Sequence, residues 1–154
     1  MKFIIQLILI IIAVILQISL VPKLALFGTF PNIILLIFLA LLFIGRPQES
    51  LWWAGIGGIL LDLASPSYFG IYTFSMLIVY VLVFYLTNRI FSNPSVFVAA
   101  VIFFVSSLMI NSIFIFYVHN YAGFLIEAVY STLIGCMIYG LMRYRTKKRE
   151  EVKI

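Results

Sequence analysis

FIIQLILIIIAVILQISLV, residues 3–21, decides the fold class. Only Gln6, Gln17 and Ser19 interrupt the run, which is long enough to cross a hydrocarbon core of about 30 Å. It does not alternate apolar with polar every second residue, as a lipid-facing barrel strand would. A backbone that must satisfy its own polar groups in hydrocarbon is then helical. A secretory signal is the competing reading. No A-x-A-like site follows, Pro22 and Lys23 close the run, and more apolar runs come after it, so it reads as a retained helix.

Composition places the whole chain in the same medium. Of 154 residues, 65% are hydrophobic and 10% charged, where soluble domains carry roughly a quarter charged. Pro31 opens a second run, Asn32 to Ile44, which Gly45-Arg46-Pro47 ends. A third, Leu51 to Ala64, stops at Ser65-Pro66-Ser67, and a fourth, Ile71 to Leu86, at Asn88-Arg89. Ser92-Asn93-Pro94 signals the start of the fifth, Ser95 to Tyr117, and a turn at His119 to Gly123 leads to the sixth, Phe124 to Met142. The expectation is an all-α membrane protein: a six-transmembrane-helix bundle over residues 1–142 followed by a basic tail, 143–154, with no internal repeat. Runs two and three are short, since fifteen residues cover only about 22 Å. They either extend through flanking residues such as Leu24 to Phe30, or cross a thinner part of the protein. Short, Gly/Pro-interrupted segments also mark transporter binding sites, while tight hairpin packing through small residues is the simpler account.

Basic residues orient the bundle. With the amino terminus inside, Lys2, Arg46, Arg89, Arg143, Arg145, Lys147, Lys148, Arg149 and Lys153 are cytoplasmic and Lys23 alone is outside, so both termini are expected in the cytoplasm. Trp52 and Trp53 then fall at the inner interface and Tyr68, Tyr72, Tyr117 and Tyr121 near the outer one. The net charge of +5 is mostly this topology signal, and the tail is expected to touch anionic lipid rather than nucleic acid. Cys136 is the single cysteine, which excludes a disulfide within one chain.

Within this hydrocarbon the stretch GIGGILLDLASPSYFG, residues 55–70, holds one acid. On a helix Ala54, Gly58 and Asp62 share a face, with Gly55 beside it, which predicts a close helix contact. An acid in a membrane helix normally faces protein or a wet cavity. Asp62 lies about one turn from the outer end of its helix, Asn111 about two turns from the outer end of the fifth, Glu127 about one turn into the sixth, and His119 in the turn between. These form an expected outer polar cluster, with Lys23 placed to meet one of the two acids. The alternative is structural: Asp62 accepting from the backbone of the Ser65-Pro66-Ser67 turn and from a neighbouring helix, and Glu127 favouring the positive start of its own helix. There is no HExxH, cysteine pair, nucleophile elbow or phosphate-cradling loop. No enzyme, metal or cofactor is expected.

The Pro31-Asn32 start of the second span, Gly55 and Gly58 followed by Asp62, then Ser65-Pro66-Ser67 and Gly70, resemble the MreD family of bacterial rod shape-determining proteins. The size and basic tail fit the same family. The resemblance implies a multi-pass, non-enzymatic component of the bacterial inner membrane that works in cell elongation and peptidoglycan synthesis. MreC is its implied direct partner, with MreB and the rod-complex glycosyltransferase and transpeptidase in the same assembly. Ala54, Gly55, Gly58 and Asp62 are the residues carried into such a contact. The architecture is also similar to the S components of energy-coupling-factor vitamin transporters. An outer pocket of Asp62, Asn111 and Glu127 would suit that second reading, whereas IIIAVILQISL in the first helix lacks the small-xxx-small alanines of many S components.

Overall fold

The computed structural model describes residues 2–24, 30–65, 69–89, 95–114 and 121–151. They form six α-helices: α1 (Lys2–Ser19), followed by a 3-10 turn (Val21–Leu24), α2 (Ile33–Phe43), α3 (Pro47–Ala64), α4 (Ile71–Arg89), α5 (Val96–Phe114) and α6 (Tyr121–Glu151). Three of them, α1 with the turn after it, α4, and Gly123–Thr146 of α6, are long and apolar enough to cross a membrane.

The shortest helix is the centre. IILLIFLALLF has no polar residue on any face, and a helix hydrophobic all round belongs inside a bundle. α2 packs against each of the other five helices, and nine of its residues are buried. At 11 residues it is only about 16 Å long. Protein rather than lipid surrounds it, so it needs no lipid-facing length.

Outside this centre the surface is apolar. Ile8, Ile12 and Ile15 of α1, Phe97 and Val101 of α5, and Leu133 and Met137 of α6 are all exposed. A continuous apolar exterior of this extent is suited to hydrocarbon, where outward-facing side chains meet lipid tails.

Local chemistry sets the joints. Gly45 has a φ of +77°, a conformation glycine adopts freely. Its N–H donates to the Leu42 carbonyl and that of Arg46 to the Leu41 carbonyl, closing α2 in a Schellman motif. Pro47 then opens α3 where a missing N–H costs nothing. α3 therefore starts four residues before the apolar run itself. Near this joint Gln6 of α1 donates to Glu49, and Glu49 pairs with Arg46, so α1 and α3 are tied at the end that carries the amino terminus. Phe43, Phe103 and Tyr139 make edge contacts at centroid distances of 5.4 and 5.5 Å and join α2, α5 and α6.

Two expectations shift. Trp52 is exposed and stacks edge-on with Phe3 at 5.0 Å, but Trp53 is 6% exposed in the core and is no interfacial ring. Adjacent helix positions point about 100° apart, so the two tryptophans do not share a face. α6 continues past Met142 to Glu151, carrying much of the basic tail on the same helix. His119, Tyr68 and Tyr117 lie outside the described residues.

α3 and α4 approach most closely at Gly58, where an added Cβ would stand 2.7 Å from the Thr73 Cα. Backbone cannot rotate aside. Gly58→Ala is expected to destabilise the protein by about 1–3 kcal/mol through overpacking, read as a lower unfolding temperature in detergent. Gly55→Ala, whose Cβ would meet nothing within 4 Å, is expected to leave that temperature unchanged or slightly raised.

Candidate functional site

The end of the bundle away from the amino terminus gathers the polar groups, beginning with Asp62. Helix α4 starts after Gly70, which has a φ of +92° and no side chain with which to cap the helix. The first N–H groups of any α-helix lack intrahelical acceptors. Asp62, one turn from the end of α3, supplies them from the neighbouring helix. Its carboxylate accepts from the Tyr72 N–H and the Thr73 N–H, both at 2.9 Å, and from the Thr73 hydroxyl. A carboxylate also complements the positive end of the α4 dipole. Asp62 is 1% exposed, so these protein donors replace its water.

Asp62 lies on the Ala54 and Gly58 face, and of its two expected sets of donors the neighbouring helix supplies these. The donors lie in the first turn of α4, because Gly58 lets the α4 backbone close onto α3 one turn away, while residues 66–68 of the expected turn lie outside the described residues. The same packing corrects the expected partner face. Ala54, Gly58 and Asp62 are buried within the fold, and Gly58 and Asp62 meet α4 directly, while Gly55 alone of the four keeps open space beside it.

Gln17 plays the matching part for α2, a role the sequence signalled only as an amide in pure hydrocarbon. Its Oε1 accepts from the Ile33 N–H at 2.9 Å and its Nε2 donates to the Pro31 carbonyl at 3.0 Å. Asn32 adds its own cap, accepting from the Leu35 N–H at 3.1 Å. Each of these two helices thus starts on a polar side chain lent by the helix before it.

Between the helix ends lies a cavity of about 450 Å³ to which all six helices contribute. Gln17, Asn32, Tyr72, Ser107, Asn111 and Glu127 supply polar lining, and Leu35, Leu61, Ile110 and Phe124 apolar lining. Asn111 and Glu127, expected in one cluster, do meet here. Asp62 stays behind the wall, linked to the cavity by Tyr72, whose N–H it holds. Lys23 does not join them. It is exposed on the 3-10 turn and pairs with neither acid; among the described residues the ion pair is that of Arg46 and Glu49 at the opposite end. A lysine at a helix end reaches polar surroundings more cheaply than it enters the bundle.

Among the described residues no three His, Cys, Asp or Glu side chains stand close enough to hold a metal ion. Cys136 is free and partly buried in α6. An apolar exterior, a largely buried central helix and polar side chains directed to helix starts define an all-helical membrane protein organised around its own packing. The chain belongs to the MreD family: residues 1–146, nearly its whole length, match the rod shape-determining protein MreD. Its role is therefore in rod shape determination, within a family of shape-determining structural membrane proteins. No curated protein and no solved structure matches it.

The capping geometry orders three variants. Asp62→Leu leaves two part-buried N–H groups and a hydroxyl without their acceptor, and about 3 kcal/mol of stability is expected to go. Asp62→Asn keeps one acceptor oxygen but turns an amide donor toward the others, an intermediate loss. Thr73→Val removes only the hydroxyl donor, about 1 kcal/mol. Unfolding temperatures in detergent check the order.

Proposed function

We propose that this chain is a non-enzymatic, multi-pass scaffold of the bacterial inner membrane that binds MreC and so helps organise peptidoglycan synthesis during cell elongation. The observation that carries this reading is the family match over residues 1–146. Six helices crossing in turn, with nine basic residues on one side and Lys23 on the other, favour cytoplasmic termini and an extracytoplasmic cavity end. The six-helix unit is residues 1–142, and the basic segment 143–154 contacts anionic headgroups from the cytoplasmic side. MreB and the rod-complex glycosyltransferase and transpeptidase join through the same assembly.

The contact is drawn to the outer side of α3. Leu51, Ile59 and Leu63 are exposed there, and Gly55 sits between them with no atom within 4 Å of where a Cβ would stand. A glycine in an apolar helix face lets a second helix come to backbone distance, and van der Waals packing of that kind drives association in lipid. Ala54, Gly58 and Asp62 act from behind, fixing α3 against α4 so that the notch is presented rigidly.

Copurification with MreC tests this. Gly55→Leu fills the notch and is expected to lower recovery of MreC about tenfold, a difference of ~1.4 kcal/mol, with an unchanged unfolding temperature and a loss of rod shape in complemented cells. Gly58→Leu is expected to fail earlier, in folding. Wild-type recovery of MreC with Gly55→Leu would place the contact elsewhere.

A further inference from the structure

The cavity holds two polar groups, Asn111 of α5 and Glu127 of α6, that face each other and cap no helix start. Asn111 is 7% exposed and lines the cavity, and its Nδ2 has no hydrogen-bond partner. Buried polar groups in native proteins are almost always satisfied, and an unpaired one costs roughly 1–3 kcal/mol. Glu127 enters the same space from α6, and among the described residues no lysine or arginine pairs with it, since Lys23 is exposed on its turn and Arg46 is engaged by Glu49 at the other end. Gln17 differs from both, because its oxygen and nitrogen are already committed to the start of α2.

We propose that this cavity is a binding site for a primary ammonium carried next to an oxygen acceptor, with Glu127 accepting from the ammonium and Asn111 Nδ2 donating to the oxygen. The volume of about 450 Å³ falls in the range of ligand pockets, roughly 300–1,000 Å³. The occupant is an organic cation rather than a metal ion, because a single carboxylate with an amide does not make a metal site. It has an N–H to give, which a carboxylate oxygen accepts in a strong charge-assisted bond and which a quaternary ammonium lacks. Leu35, Leu61, Ile110 and Phe124 line the remainder and accommodate an apolar neighbour of the polar group. Two sources offer this chemistry: the ethanolamine headgroup of a phospholipid, and a free amino alcohol or its phosphate.

The full chain is placed in phosphatidylcholine nanodiscs, and native mass spectrometry follows two additions separately. One is phosphatidylethanolamine in the bilayer and the other O-phosphoethanolamine in solution. Saturable uptake of either supports the site, and which one binds identifies the source. Glu127→Gln and Asn111→Leu are each expected to weaken that uptake at least tenfold, while Glu49→Gln, an equivalent change at the opposite end, leaves it as in the wild type. Uptake of neither probe by the wild-type protein overturns the proposal. So does uptake that is equal in wild type, Glu127→Gln and Asn111→Leu, which marks lipid bound only around the outside. The wild-type measurement decides even where a variant fails to fold, and it is independent of the MreC contact.

Discussion

A helix that begins inside a membrane protein presents N–H groups where little water is available to take them, and each costs several kcal/mol if left alone. Asp62 meets that demand for α4. Its carboxylate collects two backbone N–H groups and a hydroxyl from the first turn of the next helix, and in return those donors make an acid tolerable in a nearly water-free position. Neither helix end would be stable as placed without the other. Gly58 is the steric half of the same contact, since any side chain there would hold the α4 backbone away from the carboxylate.

The arrangement spreads from that contact. With α3 fixed on α4, and α1 fixed on the start of α2 through Gln17, the preceding helix in each pair locates the next. α2 then occupies the centre, where protein covers most of its uniformly apolar surface. The outer helices turn large aliphatic and aromatic side chains to the lipid. At the far end the six helices leave a space with polar walls, because the side chains that cap helix starts and the unpaired amide of Asn111 gather at one level.

Much of this was legible in the chain because it is written in local patterns. Apolar runs, breakers such as Gly45-Arg46-Pro47 and the counting of basic residues give helices, joints and medium without knowledge of distant contacts. The Ala54, Gly58 and Asp62 face follows from helical periodicity alone. What the chain did not disclose is non-local. A neighbouring helix is expected to donate to Asp62, but nothing at Asp62 itself says which helix or which amides, and these are Tyr72 and Thr73 of α4. Gln17 stands out in its run, but its acceptor and donor partners lie across the following loop. Asn111 and Glu127 are each ordinary single polar residues in separate helices, and only packing makes them neighbours. Trp53 was misplaced for the same reason, because an interfacial ring and a core ring have the same sequence signature at a helix start.

The hydrogen bonds between Asp62 and α4 are tested most directly by site-resolved amide hydrogen exchange in a membrane mimetic. In the wild-type protein the amides of Tyr72 and Thr73 are expected to be protected as strongly as those in the interior of α4, although first-turn amides normally exchange freely. In Asp62→Ala that protection is expected to vanish at Tyr72 and Thr73 while the Ile33 amide, held by Gln17, keeps its own. Undiminished protection of Tyr72 and Thr73 in Asp62→Ala would contradict the account.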